Sequence, residues 1–121
     1  MSVLINNQTF PAEYLSEPND IRRGMMGREE LNGCMVFKMG MGTHSFWMKN
    51  CLIPLDIVFV LNNRINRIHS NCETPDPHRM NPPKYTGIGD HVIEFPAGTA
   101  DGWRVGDKVS MYLGTPQNPV R

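Results

Sequence analysis

One short stretch of this 121-residue chain carries the side chains best suited to molecular recognition. Trp47, Lys49 and Asn50 supply a large aromatic ring, a cation and an amide almost side by side. On a strand, Trp47 and Lys49 share one face, whereas Phe46, Met48 and Asn50 share the other. We therefore predict that Trp47 and Lys49 lie at a pocket mouth and bind an anionic or sugar-like ligand. The competing interpretation places Phe46 and Met48 in the core and leaves Lys49 as a solvated edge residue.

A single acid, Asp56, begins the apolar run that follows these residues. A half-buried carboxylate is usually paired with a cation, so we expect Asp56 to pair with Lys49 or with an arginine. Such a pair could bind a ligand or could simply brace the fold, and the residues alone leave both interpretations open.

Three arginines, Arg22, Arg23 and Arg28, form a second candidate group. Guanidinium groups bind carboxylate or phosphate through two parallel hydrogen bonds. The structural alternative places Arg23 at the C-terminus of a helix and pairs Arg28 with an acid such as Asp56. If Arg28, Lys49 and Asp56 converge, the site is moderately cationic and suits a small anion or a partner's acidic side chain.

Sulfur ligands are a third possibility. The spacing of Met39, Met41 and His44 is compatible with Cu(I), a soft metal ion. Methionine is more often a flexible core residue or an adaptable contact surface, and that interpretation is favoured. The cysteines and histidines do not have the spacing of a zinc site. We therefore expect no metal and no cofactor.

Catalysis finds little support in the sequence. Cys72 and His78 could act as nucleophile and base, but both lie in a proline-rich segment, where catalytic geometry is hard to hold. The chain contains no hydrolase, metalloprotease or phosphate-loop motif. We expect a protein without catalytic residues.

The composition argues against nucleic acid and membrane as partners. Lys plus Arg and Asp plus Glu both number 12, so the formal net charge is zero and there is no basic surface for nucleic acid. The sequence as given starts without an export signal, and its longest apolar run is too short to span a bilayer. Three cysteines without a CxxC pair indicate free thiols in a reducing compartment, with one disulfide plus a free thiol as the alternative. We expect a soluble, cytoplasmic protein.

Two Asn-Asn pairs mark the clearest turns. Asn6-Asn7 and Asn62-Asn63 tolerate left-handed backbone and predict hairpins between the strands on either side. The other predicted elements include a helix over residues 21–26, loops over 38–43 and 71–89, a strand over 91–95, a helical turn over 99–103 and a final strand over 109–113.

Seven or so short strands with at most two short helices predict a mainly β protein, folded as a single small, partly closed β-barrel. Closure also removes exposed strand edges, which invite aggregation. We place the domain at residues 1–113 and a C-terminal tail, which lacks an apolar pattern, at residues 114–121.

Several motifs resemble those of a known family. Residues 23–28 read Arg-Gly-Met-Met-Gly-Arg, and Phe-Trp-Met-Lys-Asn at 46–50 is followed by Ile-Pro-Leu-Asp-Ile at 53–57. Glu-Phe-Pro-Ala-Gly-Thr-Ala at 94–100 and Val-Gly-Asp at 105–107 continue the match in the same order. The pattern resembles the DUF192 family, also called UPF0127, over most of the chain. The resemblance implies a small barrel-like β domain and little about activity, because that family is named for having no established function.

Two departures from the family pattern bear on location. Many members resemble exported or lipid-anchored proteins, whereas this sequence begins at the domain itself. Members often carry a Pro-Cys…Asp-Pro-Cys stretch in the long loop; here Cys72 is kept, but His78 follows Asp76 and Pro77. If that cysteine pair is a disulfide in exported relatives, its loss fits a reducing compartment. Both departures favour a cytoplasmic or a virus-encoded protein.

These observations favour a non-catalytic binding module that recognises a small polar or anionic ligand or a protein segment. The predicted site residues are Arg23, Arg28, Trp47, Lys49, Asn50 and Asp56. The alternative is a structural component of a larger assembly, for example a viral particle, without a small-molecule ligand. Neutral charge and a proline-rich loop and tail that could lie against neighbouring subunits favour this alternative.

Overall fold

Residues 1–112 are described by the structure, which is a computed structural model. Over this range the chain forms one curled seven-stranded sheet and one short helix. The elements are β1 Ser2–Ile5, β2 Gln8–Leu15, α1 Pro18–Arg23, β3 Cys34–Trp47, β4 Leu55–Leu61, β5 Arg64–Cys72, β6 Lys84–Pro96 and β7 Val109–Tyr112. The predicted tail at residues 114–121 lies outside the described residues.

The strand order is β5-β4-β6-β3-β2-β1-β7, and neighbouring strands are antiparallel except for the parallel pair β2 and β3. The sheet curls into a half-barrel, so the predicted mainly β fold with a partly closed barrel is confirmed. Within residues 1–112, no helix combines the length and the apolar character needed to cross a bilayer.

Backbone hydrogen bonds join the two edge strands at one end of the sheet. The amide of Ile65 donates to the carbonyl of Asp107 at 2.9 Å, and the amide of Gly106 donates to Ile65 at 2.8 Å. The amide of Val109 donates to the carbonyl of Asn63, also at 2.8 Å. These three bonds, here called the edge clasp, connect the start of β5 to the segment that leads into β7. The barrel is therefore closed at this end only by a short contact.

Both predicted Asn-Asn hairpins are present. Asn6 and Asn7 have φ values of 49° and 64°, and Asn62 and Asn63 have values of 51° and 61°. Two successive left-handed residues define the turn whose twist matches that of antiparallel strands. Asparagine tolerates this conformation better than most residues. The two pairs therefore fix the registers of β1 with β2 and of β4 with β5.

β4, residues 34–37 of β3 and residues 92–95 of β6 are buried on both faces, and their alternate residues enter two separate cores. One core fills the inside of the curl and includes Val36, Val58 and Ile93. The other lies on the opposite face, under α1 and the turn after β3, and includes Phe37 and Val92. Strand alternation therefore decides which core each side chain joins.

The predicted loop at residues 38–43 is wrong, because β3 continues through it as a strand. The pairing of β3 with β6 shifts between Lys38 and Gly42, and this irregularity absorbs the glycines without ending the strand. The predicted loop at 71–89 is also too long, since β6 begins at Lys84. Gly87 is needed there because a Cβ would lie 2.6 Å from the ring of Phe59.

The helix and the last turn also differ from prediction. α1 ends at Arg23, three residues before the predicted end at Met26, because Gly24 leaves the helical conformation with φ 44°. Residues 97–102 form consecutive turns, and no helix is assigned at the predicted helical turn over 99–103. The hydroxyl of Thr99 donates to the carbonyl of Pro96 at 2.7 Å.

Candidate functional site

The end of β3 presents the predicted recognition residues to solvent. β3 ends at Trp47, and a tight turn follows in which the amide of Cys51 donates to the carbonyl of Met48 at 2.9 Å. Asn50 takes a left-handed conformation, φ 60°, and its carbonyl accepts a hydrogen bond from the amide of Gly27. The turn is therefore held by its own hydrogen bond and by a second one from the segment after α1. Met48 is buried at 2% exposure, as expected for a core residue.

Trp47 and Lys49 lie together. The Nζ atom of Lys49 is 5.1 Å from the centroid of the Trp47 ring, within the range of a cation–π interaction. The indole is 41% exposed, so one aromatic surface remains available to a ligand. The two side chains predicted to share a strand face are in contact, but Lys49 lies in the turn after β3 and not on the strand.

A cleft of about 520 Å³ adjoins this pair. One wall is the turn after β3, and the other is the loop between β5 and β6. Its charged residues are Lys49, Asp76 and Arg79. The remaining lining residues are Trp47, Asn50, Cys51, Leu52, Thr74, Pro75, Pro77, Met80 and Pro82. We call this space the Trp47 cleft.

The predicted arginines lie elsewhere. Arg23 forms an ion pair with Asp20 at 2.9 Å on α1 and lines a neighbouring pocket instead of the Trp47 cleft. Arg28 forms an ion pair with Glu13, not with Asp56. The expected convergence of Arg28, Lys49 and Asp56 does not occur, and of the three only Lys49 lines the cleft.

Asp56 is fully buried and is held by backbone amides. Its Oδ1 atom accepts from the amide of Asn71 at 2.8 Å, and its Oδ2 atom accepts from Gly98 at 3.0 Å and Ala100 at 2.8 Å. Within residues 1–112 it has no ion pair, so the expected pairing with Lys49 or an arginine is wrong. Three hydrogen bonds from backbone amides to the carboxylate take the place of the expected cationic side chain. Asp56 therefore ties the end of β5 to the turn after β6.

A second, smaller pocket of about 200 Å³ lies beside the Trp47 cleft and shares Trp47 and Cys51 with it. Glu94, on β6, lines this pocket and is only 4% exposed. Burial raises the pKa of the Glu94 carboxyl from 4.5 to about 8, so the acid is largely protonated at neutral pH. Sequence reasoning missed Glu94. The available signal was one acid inside the apolar run Val92 to Phe95, which forces that acid into a buried strand.

The thiols are unsuited to nucleophilic chemistry. All three cysteines are free and buried, and burial raises the pKa of Cys34, Cys51 and Cys72 to about 12. The Sγ atom of Cys72 lies 3.4 Å from the carbonyl oxygen of His69, to which it donates. The geometry therefore gives no support to Cys72 as an activated nucleophile paired with His78.

We expect the native thiols to resist alkylation. At pH 8, iodoacetamide should label Cys34, Cys51 and Cys72 at least about 100-fold more slowly in the folded protein than in urea, because only thiolate reacts. Intact-protein mass spectrometry over time measures both rates. A thiol in the folded protein that is labelled as fast as free cysteine would contradict the burial described for it.

Candidate metal ligands do not form a group. Within the described range, no three His, Cys, Asp or Glu side chains are placed to hold a metal ion. Met41 is 76% exposed, whereas Met39 packs against the core that lies under α1 and the turn after β3. A ring nitrogen of His44 is hydrogen-bonded to the carbonyl of Gly40.

Comparison with known proteins agrees with the fold. Residues 1–111 match the model of the DUF192 family, which is described as an uncharacterized ACR. A search of curated proteins finds no match. A crystal structure of a protein of unknown function from Novosphingobium aromaticivorans DSM 12444 is similar, with a TM-score of 0.77 and 30% identity over 91% of this chain and 84% of that one.

A second similar crystal structure is that of a proposed transcription regulator from Sinorhizobium meliloti 1021. Its TM-score is 0.76 and its identity 25%, over 90% of this chain and 89% of that one. The family match extends over nearly all of the described residues, and both structures share the curled sheet. The chain therefore belongs to the DUF192 family.

Proposed function

We propose that this protein is a non-catalytic binding module, and that the Trp47 cleft holds an anionic group carried by a small polar ligand or by a protein segment. The observation that carries the proposal is the contact at the cleft wall between Trp47, at the end of β3, and Lys49, in the hydrogen-bonded turn that follows. The cleft volume of about 520 Å³ is within the range of ligand-binding sites.

The charges around the cleft support an anionic ligand. Lys49 and Arg79 contribute two cations, and Asp76 contributes one acid. Within residues 1–112, no acid forms an ion pair with Lys49. Asp76 is partly satisfied, because its Oδ1 atom accepts from the amide of His78 at 2.9 Å. The ammonium group of Lys49 is therefore available to an incoming carboxylate or phosphate.

Exposed apolar side chains support a contact surface around these charges. Trp47 is 41% exposed, Leu52 55% and Met80 93%. All three line the same cleft. Large apolar side chains grouped around a polar centre are typical of binding sites and are unfavourable on a surface that contacts only water.

Removal of the pair tests the proposal. The double variant Trp47→Ala/Lys49→Ala should fold as the wild type does, because both side chains are at the surface, and should bind an anionic ligand at least about tenfold more weakly. The probes are phosphate, citrate and an acidic tetrapeptide, followed by amide chemical shifts in NMR spectra. In the wild type, shifts should centre on the Trp47 cleft.

Lys38→Ala is the matched control, because Lys38 is an exposed lysine on the same strand outside the cleft. It should bind as the wild type does. The proposal fails if the folded double variant responds to every probe as the wild type does, or if the shifts lie away from the cleft.

The second proposal, an assembly component without a small-molecule ligand, is supported by the 93% exposure of Met80 in a proline-rich loop. A partner subunit would cover this side chain. Light scattering after size exclusion should then show a mass that rises with concentration and falls in Met80→Asp. A constant monomer mass would count against self-assembly.

We propose a cytoplasmic location for the binding module and a virion for the assembly component. Three free thiols support a reducing environment.

A further inference from the structure

The pocket that contains Glu94 borders the Trp47 cleft, since Trp47 and Cys51 line both, but it has a different character. Its floor and walls come from α1, the residues that follow it, β3 and β6. Apolar and sulfur-containing side chains form most of the lining, including Met25, Phe37, Met39 and Phe46. Glu94 contributes the single carboxyl group among its lining residues. We call this space the Glu94 pocket.

Glu94 has no partner within the described part of the chain. Its carboxyl forms no hydrogen bond or ion pair there, and burial alone accounts for its raised pKa. Among the described residues, Ser2 Oγ is the fully enclosed polar side-chain atom that lacks a hydrogen bond, so the Glu94 carboxyl is a mostly buried group that still reaches the pocket space. Such a group at the wall of an open pocket is therefore poised to gain a partner from a ligand.

The Glu94 carboxylate, when ionised, favours a cation as that partner. The aromatic rings of Phe37 and Phe46 and the thioethers are compatible with a positive group and with an alkyl chain, but they offer nothing to an anion. Arg22 and Arg23 also line the pocket, and within the described residues neither forms an ion pair with Glu94. Arg22 donates to the side chain of Asn19 at 3.0 Å, and Arg23 pairs with Asp20.

We propose that the Glu94 pocket binds a primary alkylammonium group, with the ammonium on the Glu94 carboxylate and the alkyl stem between the methionine and phenylalanine side chains. The volume of about 200 Å³ suits a chain of four or so carbons, as in a short alkylamine or a lysine side chain. The proposal is independent of the function assigned to the Trp47 cleft.

Ionisation of Glu94 gives the binding a distinctive pH dependence. The other titratable groups near Glu94 are Cys51 from the turn after β3 and Cys72 from β5, with Asp56 of β4 close to Cys72. Both thiols have pKa values of about 12 and stay neutral up to pH 9. The pKa of Glu94 is about 8. The fraction of Glu94 that is ionised, and can therefore pair with an ammonium group, rises about tenfold between pH 7 and pH 9. The amine remains protonated over this range.

Titration with n-butylamine at pH 7 and pH 9, followed by NMR, tests this. We expect binding that strengthens about tenfold over that range, with n-butanol and butyrate binding at least tenfold more weakly than the amine. N-acetyl-lysine methylamide is a second probe. Its binding would identify a lysine-bearing protein as the source of the amine, and binding of butylamine alone would identify a free amine.

Glu94→Gln should weaken butylamine binding at least tenfold and abolish the pH dependence, whereas Glu30→Gln, at an exposed acid outside the pocket, should behave as the wild type. In the wild type, saturating butylamine should shift the ¹³C signal of the Glu94 carboxyl to that of the ionised form at pH 7. Absence of binding, equal binding of butanol, or affinity that stays constant or falls from pH 7 to pH 9 would overturn the proposal.

Discussion

Replacing Glu94 with glutamine is expected to stabilise the protein at pH 8 by about 3 kcal/mol more than it does at pH 5. The pKa of the Glu94 carboxyl is about 8 in the folded protein, whereas its ordinary pKa, which applies to the unfolded chain, is 4.5. Between these values the folded state binds a proton that the unfolded state has released. The free energy of unfolding of the wild type therefore falls as pH rises from about 4.5 to 8, and glutamine, which is always neutral, removes that loss.

Urea denaturation at pH 5, 6, 7 and 8 measures this effect. The curve of stability against pH should slope downward in the wild type and should be flatter by about 1 kcal/mol per pH unit in Glu94→Gln. Glu30→Gln is the control, because Glu30 is exposed and its replacement should leave the slope unchanged. Parallel wild-type and Glu94→Gln curves would show that the carboxyl is ionised in the folded state throughout.

Replacing Asp56 with alanine is expected to lower the free energy of unfolding by about 4 kcal/mol, because three donors lose their acceptor in a buried site. The amides of Asn71, Gly98 and Ala100 all point at this carboxylate. An unpaired buried N–H costs about 1–3 kcal/mol. Asp56→Asn should fall between wild type and alanine, since its carbonyl oxygen can still accept from one side while its NH₂ group faces another donor.

The matched control for this change is Asp101→Ala, which removes an exposed acid from the same turn and should alter stability by less than about 0.5 kcal/mol. Chemical denaturation followed by circular dichroism measures both variants. Equal stabilities of Asp56→Ala and Asp101→Ala would mean that water or a local shift replaces the carboxylate, and that Asp56 does not anchor the turn.

Local rules predict the hairpins and the general architecture well. The Asn62-Asn63 turn needs two left-handed residues, and that requirement is visible in the sequence. The extent of β3 and β6 was not predictable in the same way. Glycines such as Gly87 suggest a loop, yet here glycine allows the Phe59 ring to pack against the strand. That requirement comes from Phe59 on β4, so the residues on either side of Gly87 do not reveal it.

The candidate site was predictable only in part. The nearness of Trp47 and Lys49 in the sequence indicated their contact, although the contact is made across the end of β3 and not by alternation along a strand. The partner of Asp56 was not predictable, because backbone amides are present at every position except proline and have no sequence signature. Glu94 was missed for a related reason: its raised pKa comes from burial between strands β3 and β4, and the residues next to it in the sequence do not reveal those neighbours.

The edge clasp has a consequence for association between molecules. β5 and β7 are the two ends of the strand order, and the bonds from Asn63 and Ile65 to the segment before β7 keep these ends together. An unpaired strand edge is a template for another copy of the same strand. A substitution that loosens the turn at 104–107 would therefore promote exchange of β7 between molecules, or stacking of sheets edge to edge, while both cores remain intact.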